Sequence, residues 1–237
     1  MRVTFLAHDG FFIELDQVCL LFDWWKEPVP SLPDKPLLVF VSHRHEDHFN
    51  PAVFALADRK ADIQFLLGND FHLTPHNLTK WQLSPEIAAK CRRCGKHDTF
   101  APLPGVTVET FPSTDEGVAW MVTVEGQSIF HAGDLNWWHW AEEDLAWNRN
   151  MEANFKRYTE PLRGRRVDLA MLPLDSRLKM DGYLGPNYFL NLMEVRRFLP
   201  MHQWEDFAFT DEFLSAYPQF APITVKIHRD GEFLGEL

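Results

Sequence analysis

The sequence predicts an α/β protein, and three observations support this class. Leu37–Val41 is a continuous apolar run typical of a buried strand, Ala52–Lys60 suits a helix, and Ile63–Leu67 is a second short apolar run. Apolar residues form 46% of the 237 residues, which is enough to bury a sizeable core. No repeat, low-complexity tract or linker interrupts the pattern. We therefore expect a single domain spanning residues 1–237.

The N-terminal part is predicted to form short strands joined by tight turns. Asp9-Gly10 and Asp16-Gln17 break the apolar runs with residues that favour turns. A proline-rich segment after the third run predicts a loop. In chain order the strands are Val3–Ala7, Phe11–Leu15 and Val18–Phe22, and the loop is Pro28–Pro36.

The middle of the chain begins with a helix signal and continues with strands. Asn50 is a favourable cap and Pro51 a favourable first residue for the helix over Ala52–Lys60. Ser84-Pro85-Glu86 opens a short helix that is predicted to end near Gly95. The strands that follow are Val106–Phe111, Ala119–Val124 and Ser128–His131, with a hairpin turn at Glu125-Gly126.

The C-terminal third is predicted to alternate helical and extended segments. Asn136–Arg166, a polar region that carries several tryptophans, is predicted to be largely helical. The remaining predicted elements are strands at Val167–Pro173 and Arg197–Met201, a helix around Pro186–Arg196 between them, and terminal strands at Ile223–Ile227 and Glu232–Leu234.

The net charge and the cysteine count limit the partners and the compartment. The formal charge is -11, so the surface repels phosphate backbones and nucleic acid is an unfavourable partner. We find no signal peptide and no apolar run long enough to cross a membrane, and three cysteines are too few for a disulfide scaffold. These features predict a cytoplasmic protein without a membrane partner. The sequence leaves its oligomeric state open.

The densest group of chemically competent residues directly follows the predicted strand Leu37–Val41. His43, His45, Asp47 and His48 place four potential metal ligands within six residues. In an extended turn His43 and His45 point the same way and share one ion, whereas Asp47 and His48 turn towards a second. Neutral imidazoles with a carboxylate suit zinc, manganese or iron better than magnesium or calcium. The alternative interpretation is a charged, solvated turn, which this spacing disfavours.

Together with other segments, this cluster resembles the metallo-β-lactamase superfamily over most of the chain. The opening segments resemble the branch that includes ascorbate-6-phosphate lactonase and many small hydrolases. The resemblance implies a four-layer α/β/β/α sandwich with the metal ions at one rim. Outside the cluster, the matching segments are Phe5–His8, Leu21–Asp23, Ile129–Asp134, Met171–Pro173 and Phe198–His202.

The same resemblance implies a ligand set for one or two divalent ions, with zinc favoured and manganese or iron as alternatives. Histidines at the start of the cluster bind the first ion, and a later aspartate bridges both ions. The implied ligands are His43 and His45 for the first ion, Asp47, His48 and His202 for the second, and Asp134 for both.

The implied set for the first ion lacks one ligand. The family's usual third histidine comes from a loop after a strand, and the corresponding loop here, Thr110–Gly117, contains no histidine. Asp115 is the favoured replacement, because carboxylates are common metal ligands. The alternatives are a weak oxygen ligand from Ser113 or Thr114, or a centre with one tightly held ion.

The expected activity is that of a metal-dependent hydrolase acting on a small molecule. A hydroxide held by the metal would attack a small ester, lactone or phosphodiester, with Asp47 orienting it and receiving its proton. Three other functions compete: an iron-containing redox member of the fold, a nuclease-type phosphodiesterase and a non-catalytic member. The acidic composition disfavours the nuclease, and the missing histidine is the only support for a non-catalytic protein.

Several residues near the implied centre are candidates for a substrate pocket. Trp137 and His139 closely follow the implied bridging aspartate, and Lys179 lies in a loop between the two late strands. His8 and His131 are further candidates, as proton donors or as partners that orient a ligand. The alternatives are a core tryptophan, a solvated lysine and ordinary turn or buried histidines.

Overall fold

The structure is a computed structural model that describes residues 1–26 and 31–237. Its strands are β1 (Arg2–Ala7), β2 (Gly10–Glu14), β3 (Cys19–Phe22), β4 (Leu37–Val41), β5 (Ile63–Leu67), β6 (Cys91–Arg93), β7 (Thr99–Leu103), β8 (Val106–Pro112), β9 (Val118–Val124), β10 (Gln127–His131), β11 (Arg166–Val167), β12 (Leu169–Pro173), β13 (Glu194–Val195), β14 (Phe198–Met201) and β15 (Phe233–Glu236). Its α-helices are α1 (Pro75–Lys80), α2 (Pro85–Ala88), α3 (Leu145–Thr159), α4 (Leu184–Leu192) and α5 (Phe209–Ala216). Single-turn and longer 3₁₀ segments cover Pro51–Asp58, Glu160–Leu162, Ser176–Tyr183 and Pro218–Phe220.

The strands form two large sheets. One has the order β15-β1-β2-β3-β4-β5-β6, the other the order β14-β12-β10-β9-β8-β7, and β11 pairs with β13 separately. In the first sheet β3 to β6 are parallel, and in the second β10, β12 and β14 are parallel. The carboxyl ends of parallel strands meet at one edge of a sheet, so the loops that follow them come together.

Aromatic side chains join the inner faces of the two sheets. Phe40 on β4 meets Trp120 on β9 edge-on, with ring centroids 5.3 Å apart. Phe22 on β3 stacks on His131 of β10 at 5.0 Å. All four side chains are fully buried. The space between the sheets is therefore the main core, as expected for stacked sheets.

Helical segments cover the outer faces. The 3₁₀ segment Pro51–Asp58 covers the first sheet, where Phe54 packs against Phe65 of β5 at 5.0 Å. On the other side, Phe130 of β10 contacts Phe189 of α4 at 5.7 Å. Helix, sheet, sheet and helix thus follow one another, which confirms the predicted four-layer α/β/β/α class.

Local signals in the sequence account for several element boundaries. The Asn50 side chain accepts a hydrogen bond from the Ala52 amide (2.9 Å), and Pro51 opens the helix, although the turns are 3₁₀. Glu125 and Gly126 both have positive φ, at 52° and 74°, which is the conformation of a two-residue hairpin turn. Most of the predicted strands are confirmed.

Four predicted elements are wrong in whole or in part. The helix predicted around Pro186–Arg196 ends at Leu192, because Glu194–Val195 pair with β11 as β13. The helix from Ser84 ends at Ala88, because the chain then joins the sheet as β6 beside β5. Helix α3 begins at Leu145, where Asp144 caps the Trp147 amide (2.7 Å), so residues 136–144 are not helical. Residues 223–227 form a single bridge between Thr224 and Phe198 instead of a strand.

Residues 28–30 of the predicted proline-rich loop lie outside the described residues, and residues 31–36 have no regular secondary structure. Within the described parts of the chain, no helix is long and apolar enough to cross a membrane.

Candidate metal centre

The predicted ligand cluster lies in the loop after β4, and a buried carboxylate holds the start of that loop. Asp23 accepts hydrogen bonds from the Ser42 amide (2.7 Å) and the Ser42 hydroxyl (2.6 Å). The backbone packs closely here, because a Cβ at position 117 would lie 2.6 Å from the Cβ of His43. Gly117 also has a φ of +75°, so both space and backbone conformation require glycine.

His43, His45 and Asp134 form the first group of candidate ligands. His43 Nε2 lies 2.9 Å from His45 Nδ1 and 3.5 Å from Asp134 Oδ2. The Ser42 hydroxyl donates its proton to Asp23, so its oxygen accepts from His43 Nδ1 at 2.9 Å. This hydrogen bond leaves the lone pair of His43 Nε2 facing the other two ligands.

The second group shares Asp134 with the first. His48 Nε2 lies 3.3 Å from Asp134 Oδ1, and His202 Nε2 lies 3.5 Å from the same oxygen. Donor atoms of His8, Asp47, His48 and His202 lie within 4.8 Å of one another. One carboxylate oxygen of Asp134 thus faces each group, as in a carboxylate that bridges two ions.

Two buried carboxylates orient the histidines of the second group. Asp23 accepts from His48 Nδ1 at 2.9 Å, and Asp175 accepts from His202 Nδ1 at 3.0 Å. Burial lowers the pKa of His48 well below its ordinary value, and it lowers the pKa of His202 to about 4 despite the hydrogen bond to Asp175. Both imidazoles are therefore neutral at pH 7 and present Nε2 lone pairs, as metal ligation requires.

Buried polar atoms without a hydrogen-bond partner among the described residues converge on the centre. They include His8 Nε2, His48 Nε2 and Asp134 Oδ1. Burial raises the pKa of Asp134 well above its ordinary value, and repulsion from Asp115 and Asp47 adds to this effect. Native proteins rarely leave such atoms unpaired. A divalent cation would satisfy them, and this set of imidazoles and carboxylates fits zinc, manganese or iron.

Asp115, the predicted replacement for the third histidine of the first ion, lies in the loop between β8 and β9. It lines the same cleft as His45 and Asp134, although it belongs to none of the tight donor groups in the described chain. The Thr114 hydroxyl is already engaged, since it donates to the Asn136 carbonyl (2.7 Å) and accepts from the Asn136 amide (3.0 Å). The threonine alternative is therefore disfavoured.

Five of the candidate ligands line a cleft of about 310 Å³. Aromatic and apolar side chains and one arginine also line it. The lining residues are His45, Asp47, Thr114, Asp115, Asp134, Trp138, Trp140, Trp147, Met151, Arg177 and His202. A volume of this size lies at the lower end of the range for small-molecule sites.

The predicted pocket residue Trp137 faces away from the cleft. Its ring packs against Phe155 (6.0 Å) and Tyr188 (6.2 Å) of the outer helices. Its neighbour Trp138 instead faces the centre, 5.3 Å from the His202 ring. The indole Nε1 of Trp138 donates to the backbone carbonyl of Asp134 (3.0 Å), which fixes its orientation.

The other predicted pocket residues also lie outside the cleft lining. His139 pairs with Asp181 at 3.0 Å, and Lys179 lies at a kink with a φ of +54°. His131 is fully buried between the sheets. His8 lies beside the second ligand group and lines a neighbouring cavity.

Sequence reasoning missed Arg177 and Asp175. Arg177 binds Asp175 through Nε and Nη2, and its guanidinium lies 4.6 Å above the Trp204 ring. Asp175 in turn holds His202. The position of Asp175 could have indicated its role, because it lies two residues after the parallel strand β12, at the edge of the sheet that carries the site.

Comparison with known proteins agrees with this geometry. The family described as "Beta-lactamase superfamily domain" matches residues 2–145, which is more than half of the chain. The chain belongs to this superfamily. A curated relative, a UPF0173 metal-dependent hydrolase from Desulforamulus reducens, is 23% identical over 99% of both chains. The narrower branch of ascorbate-6-phosphate lactonase stays a prediction.

Solved structures share the fold. A metallo hydrolase from the archaeon Ignicoccus hospitalis has a TM-score of 0.65 at 18% identity and covers 98% of this chain and 96% of its own. CmlA, a diiron β-hydroxylase from Streptomyces venezuelae, has a TM-score of 0.65 at 10% identity. The match covers 96% of this chain but 52% of CmlA. The predicted superfamily and fold are confirmed.

Proposed function

We propose that the protein is a hydrolase that uses two divalent ions to cleave a small ester, lactone or phosphodiester. The observation that carries this proposal is the shared carboxylate of Asp134. One of its oxygens faces His43, and the other faces His48 and His202. Membership of the superfamily and the hydrolase names of curated relatives support the same reaction class.

Each of the two ligand groups would bind one of the two ions. Divalent ions bound there would polarise a carbonyl or phosphoryl oxygen and lower the pKa of water. The proposed ligands are His43, His45, Asp134 and Asp115 for the first ion, and Asp47, His48, His202 and Asp134 for the second.

Asp47 is the residue that we propose orients the attacking water and takes its proton. Burial alone would raise the pKa of Asp47, but its contact with the His8 imidazole and its closeness to His48 outweigh burial and hold that pKa well below its usual range. Such a carboxylate is ionised at neutral pH and holds a proton weakly. His8 Nε2 lies 3.4 Å from Asp47 Oδ2, so the proton can pass on to this imidazole.

The cleft restricts which substrates reach the centre. Trp138, Trp140 and Trp147 provide rigid apolar walls that exclude water around a bound molecule. The cleft volume of about 310 Å³ suits a compact substrate. We therefore propose a small molecule and not a polymer as the substrate.

Zinc is the proposed metal, and the proposed compartment is the cytoplasm. The three cysteines are free, which is usual in a reducing compartment. An iron-dependent redox reaction is the second candidate function, because CmlA, which shares the fold, is described as a diiron enzyme. Carboxylate-rich sites also accept manganese or iron.

The test combines metal analysis with a substrate panel. Protein purified without chelator should contain close to two equivalents of zinc, manganese or iron, and should hydrolyse a generic ester, lactone or phosphodiester. His48→Ala and Asp134→Ala should lose metal and activity together. Full metal content in both variants would refute the ligand assignment, and oxygen consumption without hydrolysis would favour the redox function.

A further inference from the structure

The carboxyl group of Asp9 is buried beside the centre and has no role in the mechanism above. Asp9 is fully buried, and neither of its side-chain oxygens has a hydrogen-bond partner among the described residues. His48 Nδ1 lies 3.7 Å from Asp9 Oδ2, beyond hydrogen-bond range, and already donates to Asp23. An isolated buried carboxylate is unfavourable unless a cation faces it.

Asp9 lies among the candidate ligands of the second ion. Donor atoms of Asp9, His48, Asp134 and His202 fall within 4.8 Å of one another, and all four side chains are buried. This group overlaps the one that contains Asp47 and shares two histidines with it. A carboxylate in this position can contact the same ion as its neighbours.

The backbone around Asp9 is held in place at both sides. Adjacent strand residues normally point to opposite faces, but His8 has a φ of +56°, so the turn lets both His8 and Asp9 face the centre. His131 Nδ1 accepts from the Gly133 amide (3.1 Å), so its Nε2 carries the proton and donates to the Asp9 carbonyl (2.9 Å). This gives the buried His131 a positioning role.

We propose that Asp9 is a further ligand of the second divalent ion. The proposal rests on the two-ion centre described above. Under it, the second ion has three carboxylates, from Asp9, Asp47 and Asp134, beside the imidazoles of His48 and His202. A site that is rich in carboxylates favours manganese or iron more strongly than the sequence motif alone indicates.

The negative charge at the centre supports this assignment. Five carboxylates at or beside the centre have no lysine or arginine partner within residues 1–26 and 31–237, so cations are needed to offset their charge. These five residues are Asp9, Asp23, Asp47, Asp115 and Asp134. Asp23 accepts hydrogen bonds from Ser42 and His48, whereas the ionised form of Asp9 is unfavourable beside the other carboxylates unless a cation faces it.

The test uses Asp9→Asn, which keeps the side-chain size but removes the charge. Manganese is the probe, and electron paramagnetic resonance of free Mn²⁺ measures binding without any substrate. We expect the second ion to bind at least about tenfold more weakly, which corresponds to ~1.4 kcal/mol. Asp168→Asn is the matched control, because Asp168 accepts hydrogen bonds from Ser128 at the opposite end of the second sheet. The Asp168→Asn variant should bind manganese as tightly as the wild type does.

A stability measurement separates a ligand from a structural group. In chelator, Asp9→Asn should melt no lower than the wild type, because the substitution removes a carboxyl group without a hydrogen-bond partner. In manganese, its gain in melting temperature should be smaller than that of the wild type. Unchanged manganese affinity would overturn the role of Asp9, and so would lower stability in chelator with a normal response to manganese.

The two proposals fail in different ways. If His48→Ala loses metal but Asp9→Asn does not, the two-ion centre stands and the role of Asp9 is wrong. If His48→Ala retains both ions, the centre itself is wrongly assigned.

Discussion

Replacing Asp175 by asparagine tests whether a residue outside the ligand set controls metal affinity. Asp175 is fully buried and accepts from His202 Nδ1 at 3.0 Å. Burial alone would raise its pKa, but the hydrogen bonds from His202 and Arg177 lower it from 3.8 to about 2. One pKa unit is worth about 1.4 kcal/mol. Arg177 is partly exposed, so solvent screens its part of this interaction energy. We therefore estimate that the Asp175 carboxylate stabilises the orientation of His202 by about 2 kcal/mol.

This interaction favours the tautomer of His202 that carries its proton on Nδ1, so the lone pair of Nε2 faces the centre. An asparagine at 175 loses the charge, so the second ion should bind roughly 30-fold more weakly, within the range known for partners of metal-binding histidines. Competition with a chromophoric chelator measures this affinity. Arg177→Gln should weaken binding by only a few-fold, since it acts through Asp175.

Asp181→Asn is the matched control for Asp175→Asn. Asp181 pairs with His139 Nδ1 at the same distance of 3.0 Å, but this pair is partly exposed and outside the cleft lining. Its loss should leave metal affinity unchanged. Wild-type affinity in Asp175→Asn, or an equal loss in Asp181→Asn, would refute the reasoning.

Three further predictions follow from packing, metal linkage and burial. Gly117→Ala should lower the free energy of unfolding by more than about 3 kcal/mol and disturb metal binding. Gly126→Ala, where φ is a similar +74° but the space is open, should lower it by only about 1–2 kcal/mol. Urea denaturation measures both values, and equal losses would contradict this prediction. When the free metal concentration is a hundred times the Kd, removing the ion should lower the melting temperature by about 5–10 °C in calorimetry. An unchanged melting temperature would contradict stabilisation by metal. Burial raises the pKa values of Cys91 and Cys94 to about 12, so a disulfide reagent at pH 8 should label them only after unfolding; rapid labelling of folded protein would oppose this.

The strands were predictable because their pattern is local. Leu37–Val41 is β4 to the residue, and the turn at Glu125-Gly126 occurs where the sequence predicts it. The helix over residues 136–144 was wrong because tertiary contacts override propensity there. The Asn136 backbone is bound by the Thr114 hydroxyl, so this segment lies against the cleft instead of forming helical hydrogen bonds.

The ligand types were likewise readable from the sequence, but their surroundings were not. His-x-His-x-Asp-His follows a buried strand, and this combination indicates a metal site. Nothing in the string Trp137-Trp138 indicates which indole faces the cleft, because the path of an irregular loop determines it. Asp9-Gly10 is an ordinary turn signal, and only the folded chain leaves its carboxyl group buried without a hydrogen-bond partner.

The sequence by itself predicted the α/β class, the superfamily and seven of the proposed ligands. Strand periodicity and the spacing of the cluster His43–His48 are short-range properties, whereas Asp134 and His202 were implied by the resemblance to the superfamily. The tertiary structure alone decided that Asp134 divides its oxygens between two groups, that Asp175 holds His202, and that Asp9 faces the second group. These relations join residues from loops far apart in the chain. Their geometry depends on how two sheets stack, and no local pattern records that packing.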